Sequence, residues 1–100
     1  MQSALHLAEA SDALNWAIDQ EWQNCVAPLG DGLHYRPEAP RAIRLAVLIR
    51  AIGTLGSEPR GGAAARLLDA LENGESGNLG GVLAVARSNG WTLRREPPRR

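Results

Sequence analysis

Two histidines and a nearby acid offer the first candidate chemistry, a metal site. His6 and Glu9 are three residues apart, so on a helix they would lie one turn apart on the same side. A zinc site needs three or four ligands, and the second histidine, His34, is distant in the chain. The sequence therefore predicts no metal site and no cofactor.

The single cysteine, Cys25, is the candidate nucleophile. It continues an apolar helical stripe, where a buried thiol has a raised pKa and little reactivity, and its only candidate base is His34. No Ser-His-Asp order, paired carboxylate motif or phosphate-binding loop is present. The pairs Gly61-Gly62 and Gly80-Gly81 could bind a phosphate through free backbone amides, but we interpret them as helix starts. The sequence predicts a protein that is not an enzyme and has no small-molecule substrate.

Charge is balanced overall but divided along the chain. Eleven arginines, no lysine and eleven acids give a formal net charge of zero over 100 residues. Residues 1–35 contain five acids and no arginine, whereas residues 36–100 contain all eleven arginines and six acids. The first third is therefore acidic and the remainder is basic.

An acidic stripe around a tryptophan is the leading candidate for a binding surface. Its members recur mostly at three- and four-residue spacing, which places them on the outward side of the first helix. A central aromatic side chain rimmed by acids suits a basic partner surface. The alternative is a solvated helix face with the tryptophan tucked against the following loop. The stripe consists of Glu9, Asp12, Trp16, Asp19, Gln20 and Gln23.

The C-terminal tail is the second candidate surface. Residues 94–100 have two prolines and no apolar anchor, which predicts a flexible segment after a single domain at residues 1–93. Its arginines can contact phosphates, so a small DNA-binding transcriptional regulator is the alternative function. Few polar side chains on the last predicted helix can read bases, which places this alternative second. The arginines concerned are Arg94, Arg95, Arg99 and Arg100.

Four helices are predicted to position these surfaces. Alanine and leucine number 16 and 14, whereas valine, isoleucine and threonine together number ten, so intrinsic preference favours helix. Residues 27–39 are expected to form an irregular loop, and residues 91–93 a short extended segment. The predicted fold is therefore all-α, a compact bundle of about four helices with a short extended C-terminal segment. The helices are predicted at residues 3–26, 41–55, 61–73 and 79–89.

Apolar spacing predicts which helix faces form the core. The second helix is apolar around most of its circumference and is expected to be central, and any apolar residue left uncovered would favour a homodimer. Gly80-Gly81, at the start of the fourth helix, predicts either close approach to another backbone or a fraying first turn. The core stripe of the first helix is predicted as Leu7, Ala10, Leu14, Ala17, Ile18, Trp22, Cys25 and Val26.

The compartment is predicted from what the sequence does not contain. No apolar run approaches the roughly 20 residues that cross a bilayer, and the N-terminus lacks the basic start of a secretory signal. An unpaired cysteine is typical of a reducing compartment. We expect a cytoplasmic protein with no membrane partner.

In size, composition and the acidic helix from Glu9 to Gln23, the chain resembles small single-domain proteins of bacteriophages and mobile elements, of which anti-CRISPR proteins are one group. The resemblance implies steric occlusion of a host complex, often where nucleic acid would bind, with Asp12, Trp16 and Asp19 as contacts. The predicted function is a bacterial inhibitor or adaptor that binds a basic surface of a larger protein or ribonucleoprotein. Direct nucleic-acid binding is the less favoured possibility.

Overall fold

Within residues 2–97, three helices and five strands follow one another along the chain. The computed structural model describes the backbone of these residues and the side chains of residues 8–97. The elements are α1 (Gln2–Cys25), β1 (Val26–Leu29), β2 (Gly32–Tyr35), α2 (Arg41–Leu55), α3 (Gly61–Glu72), β3 (Gly77–Leu79), β4 (Val82–Arg87) and β5 (Gly90–Arg95).

The strands form one antiparallel sheet in the order β1-β2-β5-β4-β3. The longest pairing joins β4 to β5, from Val82 opposite Arg95 to Arg87 opposite Gly90. On the other edge of β5, Leu93 lies opposite Leu33 of β2. Helices α2 and α3 pack against one side of this sheet and enclose the core between them and the strands.

The prediction of an all-α bundle is wrong, because the fold is α+β. Residues 79–89, predicted as the fourth helix, contain a turn and β4, and residues 27–39, predicted as a loop, contain β1 and β2. Two-residue turns explain the error. Gly30, Gly80 and Gly81 have φ angles of 61°, 60° and 78° in these turns. Such positive φ angles let tight hairpins match the twist of the strands.

The two middle helices are confirmed close to their predicted positions. Helix α2 begins after Pro40, whose ring suits a helix start, and α3 ends before Asn73. Helix α2 lies between α1, α3 and the sheet, which confirms its predicted central place. The extended segment at residues 91–93 is also confirmed, as part of β5.

Among the described side chains of α1, those that pack on the core belong to its C-terminal half, so its predicted core stripe is wrong in part. Leu7 of that stripe lies outside the described side chains. Cys25 is buried, but residues 8–16 are exposed throughout, and Leu14 is 46% exposed. Helical spacing identifies an apolar face without showing whether anything covers it. Of the predicted stripe, Ala17, Ile18, Trp22 and Val26 are partly buried against the core.

A buried carboxylate ties α1 to the segment that leads into α2. Glu21 is 7% exposed, and its Oε2 accepts hydrogen bonds from the Tyr35 hydroxyl at 2.8 Å and from the backbone N–H groups of Glu38 and Ala39 at 2.9 and 3.1 Å. Its Oε1 accepts one from Cys25 Sγ at 3.2 Å. Burial opposes ionisation, but the donated hydrogen bonds outweigh it and leave the pKa of Glu21 below its usual value.

The surroundings of Cys25 disfavour its thiolate form. Burial, together with the hydrogen bond to Glu21 and its negative charge, raises the pKa of Cys25 to about 11. Thiols react as thiolates, so this one is unreactive at neutral pH. His34 precedes Tyr35 on β2, and neighbouring strand residues point to opposite sides of a sheet. The candidate base is therefore on the side away from the Glu21 cluster.

The β3–β4 turn is pressed against the end of α2. The Ser57 N–H donates to the Gly80 carbonyl oxygen at 2.9 Å, and a Cβ at Gly80 would collide with the Ser57 carbonyl oxygen. Of the two explanations for Gly80-Gly81, close backbone approach is confirmed at Gly80. At Gly81 a Cβ would meet nothing within 4 Å.

Gly80→Ala is expected to lower the free energy of unfolding by about 3 kcal/mol, because it combines strain at positive φ with the collision at Ser57. Gly81→Ala is the matched control, since it carries the strain without the collision and should cost about 1 kcal/mol. Urea denaturation measures both, and equal losses would contradict the close contact.

Glu21→Gln is expected to lower the free energy of unfolding at pH 7 by about 1–3 kcal/mol. A carboxylate with a lowered folded pKa stabilises the fold above its unfolded pKa, about 4.3, and this contribution is lost as pH falls through the folded value. The variant should therefore lose less stability than the wild type on acidification. Denaturation curves between pH 7 and pH 3 test this, with the exposed Glu58→Gln as control. Parallel wild-type and Glu21→Gln profiles would rule out this role.

Candidate nucleic-acid interface

One side of the sheet faces away from α2 and α3. Val82, Ala84, Trp91 and Leu93 are buried in the core, so the residues that alternate with them along β4 and β5 belong to the other side. We call this side the open face. Its described residues are Ala27, Leu29, His34, Asn78, Leu83, Val85, Arg87, Thr92 and Arg94.

Strand register arranges the middle of the open face in cross-strand rows. Thr92 lies between Val85 of β4 and His34 of β2, and in the next row Arg94 lies opposite Leu83. Leu83 and Val85 are half-buried by their neighbours and are not among the apolar side chains packed on the core. The centre of the face is therefore a mixed apolar and polar surface.

Three arginines lie on the open face, two at one end and one along β5. Arg36 extends β2 through a backbone hydrogen bond from its N–H to the Cys25 carbonyl oxygen at 3.0 Å. Its Cγ lies 3.0 Å from where a Cβ of Gly90 would be, and Gly90 is opposite Arg87. Arg36 and Arg87 thus share one end of the open face, and Arg94 lies further along β5. At the β3 edge, Asn78 Nδ2 donates to a Glu96 carboxylate oxygen at 3.2 Å.

Ion pairing separates the arginines into two groups. Among residues 8–97, Arg36, Arg87 and Arg94 on the open face have no carboxylate within salt-bridge distance, and neither do Arg60 and Arg66 near α3. The paired arginines all belong to α2. Their pairs are Arg41 with Asp69 and Glu72, Arg44 with Glu72, and Arg50 with Asp19.

The arginines predicted to act together in the tail are separated. Arg94 and Arg95 lie within β5, on opposite sides of the sheet. Arg95 Nε donates to the Leu55 carbonyl oxygen at 2.6 Å, where α2 ends and its last carbonyls lack helical partners. Arg94 remains on the open face. Arg99 and Arg100 lie outside the described residues.

The predicted acidic stripe lies along α1. Trp16 is 66% exposed, which fits the predicted exposed stripe and not the alternative in which it is tucked against the following loop. Asp19 is engaged, since its Oδ1 lies 2.8 Å from Arg50 Nη1. The binding role of the stripe stays a prediction. Of its other members, Glu9, Asp12 and Gln23 are exposed and Gln20 is half-buried.

Sequence reasoning missed Arg36 and Arg87, because their place on the open face depends on strand register. A usable signal was present. Asn89-Gly90 between the runs VLAVAR and WTLRR is typical of a hairpin, and alternation along those runs would have placed Arg87 and Arg94 on one side.

Two further features, a metal site and a membrane-spanning helix, were sought among the described residues. Within residues 8–97, no three histidine, cysteine, aspartate or glutamate side chains are grouped as metal ligands would be. No helix in the described part of the chain has the length and apolar character needed to span a membrane.

Comparison with known proteins shows a similarity to a curated enzyme. The chain is 38% identical over 101 residues to tRNA(Ile)-lysidine synthase of Novosphingobium aromaticivorans. The match includes 98% of this chain and 31% of the relative, so the chain spans about a third of that protein's length. No protein family model matches the chain. No solved structure matches it either.

Arg95→Met is expected to lower the free energy of unfolding by about 1–3 kcal/mol, because it leaves the carbonyl group of Leu55 without its donor. Arg94→Met is the matched control on the adjacent residue and should change stability by less than about 0.5 kcal/mol. Chemical denaturation compares the two variants. Equal effects would mean that the two arginines do not differ in structural role.

Proposed function

We propose that this chain is a non-catalytic RNA-binding module that holds tRNA against the open face of its sheet. The observation that carries the proposal is the 38% identity, over 98% of the chain, to a synthase whose name specifies tRNA(Ile). In a protein of that kind, this module would supply affinity for the RNA, and the rest of the polypeptide would supply the chemistry.

The arginines of the open face support this proposal. A guanidinium group forms paired hydrogen bonds with phosphate oxygens, and each phosphate contact releases counterions from the RNA. Arg36, Arg87 and Arg94 have no carboxylate partner among residues 8–97, so binding RNA would break no described ion pair. Arg95 is occupied at the end of α2 and is not assigned to the interface.

The composition of the open face favours contacts to the RNA backbone over base stacking. Tyr35 and Trp91 belong to the opposite, core side of the sheet, and they pack edge to face with ring centroids 5.6 Å apart. Sequence-specific RNA recognition by sheets uses exposed aromatic rings, whereas folded RNA is held through its shape, phosphates and 2′-hydroxyls. We infer that this module recognises folded RNA with little sequence preference.

The other predicted functions remain open as predictions. Nothing in the comparisons bears on an anti-CRISPR-like inhibitor. The DNA-binding alternative relied on four tail arginines, of which Arg94 is on the open face and Arg95 is turned to the other side.

The proposal predicts that the full chain binds a tRNA(Ile) transcript and that Arg36→Gln/Arg87→Gln/Arg94→Gln weakens binding about tenfold or more. Because each lost phosphate contact removes about 0.7–0.9 from the slope of log affinity against log salt, the triple variant should lower that slope by about 2. Filter binding at a series of salt concentrations measures both quantities.

The control keeps the type of substitution and changes the side of the molecule. Arg60→Gln/Arg66→Gln removes two unpaired arginines near α3 and is expected to retain nearly wild-type affinity. Equal losses of binding free energy per arginine removed would show that binding follows overall charge. No binding by the wild-type chain would refute the proposed function. A DNA duplex bound as tightly as the tRNA would favour the DNA-binding alternative.

A further inference from the structure

Helix α1 holds one arginine of its own chain with an acid and an aromatic ring. Asp19 Oδ1 accepts a hydrogen bond from Arg50 Nη1 at 2.8 Å. The Arg50 guanidinium carbon lies 4.4 Å from the centre of the Trp22 ring, within the range of a cation–π contact. Asp19 and Trp22 are three residues apart, on neighbouring turns of the helix. An Asp-Trp pair on this helix therefore binds a guanidinium group.

A second Asp-Trp pair lies earlier on the same helix. Asp12 and Trp16 are four residues apart, which also places them side by side on a helix surface. Both are exposed, and Trp16 is 66% exposed. No described salt bridge involves Asp12, and no described cation lies over Trp16. The second pair presents the same chemical groups as the first, without a described occupant.

The charge of the surroundings defines the occupant. Residues 8–24 of α1 include four acids and no arginine or lysine, so the helix surface repels phosphate and attracts cations. Arginine suits the pair better than lysine, because its planar guanidinium group can stack on the indole while donating to the carboxylate. The acids in this stretch are Glu9, Asp12, Asp19 and Glu21.

We propose that Asp12 and Trp16 form an arginine clamp that binds an arginine side chain of a partner protein, as Asp19 and Trp22 bind Arg50 within the chain. The clamp lies on α1, whereas the RNA contacts proposed above lie on the open face of the sheet. It is therefore a separate interaction surface and does not depend on the proposed RNA-binding function.

The test is a titration of the ¹⁵N-labelled full chain with acetyl-Gly-Arg-Gly-Arg-Gly-amide, followed through the three tryptophan indole N–H signals. The Trp16 signal should shift with saturation, while those of Trp22, already beneath Arg50, and of buried Trp91 stay in place. The lysine peptide should bind about threefold more weakly. The peptide with citrulline, which is uncharged, should cause no saturating shift.

Three variants sharpen the test. Asp12→Asn is expected to weaken the response at Trp16 about fivefold. Trp16→Ala should abolish any saturating response of the backbone amides around residue 12, and Asn24→Ala, exposed on the same helix and outside the acidic stripe, is the control. Arg50→Gln vacates the first pair, so Trp22 should then respond to the arginine peptide.

Failure of this proposal has distinct signatures. An unshifted Trp16 signal, or equal responses to the arginine and citrulline peptides, would overturn it. An unshifted Trp22 signal in Arg50→Gln would also overturn the proposal. It would mean that an Asp-Trp pair does not suffice to bind a guanidinium group. Circular dichroism of each variant checks that the helix is retained. Binding of tRNA by Asp12→Asn should equal that of the wild type, which separates the clamp from the proposed RNA-binding function.

Discussion

The arrangement of the molecule depends on the buried carboxylate of Glu21. Its four described hydrogen bonds reach three parts of the chain, namely the end of α1, strand β2 and the segment that leads into α2. A buried charge is costly unless its hydrogen-bonding capacity is filled, and here both oxygens are used. An apolar residue at this position could fill the space, but it would not fix the backbone N–H groups of Glu38 and Ala39. The carboxylate therefore specifies where the hairpin β1–β2 lies relative to α1.

This connection also positions part of the open face. Tyr35, which donates to Glu21, is followed directly by Arg36, whose N–H continues the pairing of β2 back to Cys25. Next to it, Gly90 leaves room for Arg36 and His34 where β5 begins. Core packing on one side of the sheet and arginine placement on the other are thus two results of the same register. Arg94 and Arg95 also show how strand alternation separates neighbouring residues. Arg94 lies on the open face, whereas Arg95 donates a hydrogen bond to the end of α2.

The helices were predicted from this sequence and the hairpins were missed, for a physical reason. Helices α2 and α3 combine apolar spacing with clear ends, and Trp16 falls on the outward side of the predicted first helix. In β4, by contrast, VLAVAR contains two alanines, and alanine favours helix when neighbours are ignored. Pairing with β5 overrides that preference, since strand formation depends on neighbours distant in sequence. Glycines at residues 30, 80 and 81 predict turns as well as helix ends, and the positive φ angles decide in favour of turns.

The candidate sites also differ in whether they depend on local sequence or on contacts between distant segments. The exposure of Trp16 depends on one helix and was visible in the sequence. The burial of Glu21 depends on where α1 stops being covered, and the grouping of Arg36, Arg87 and Arg94 depends on three strands. Neither is encoded in local spacing, because each requires contacts between segments that are far apart in the chain. Isolated arginines in an alanine-rich sequence become a surface only once the sheet order is known.

The division of charge along the chain gives the folded molecule an α1 with acids and no arginine, and an open face with three arginines. A neutral chain exerts little long-range attraction, so local charge must direct a ligand to its surface. The acids on the outward face of α1 favour a cationic ligand, whereas the arginines of the open face, which have no described carboxylate partner, favour phosphates. Arg50 illustrates the second case within the chain, because it lies against Asp19 and Trp22 instead of joining the other arginines. The two proposed ligands therefore carry opposite charges and contact different residues.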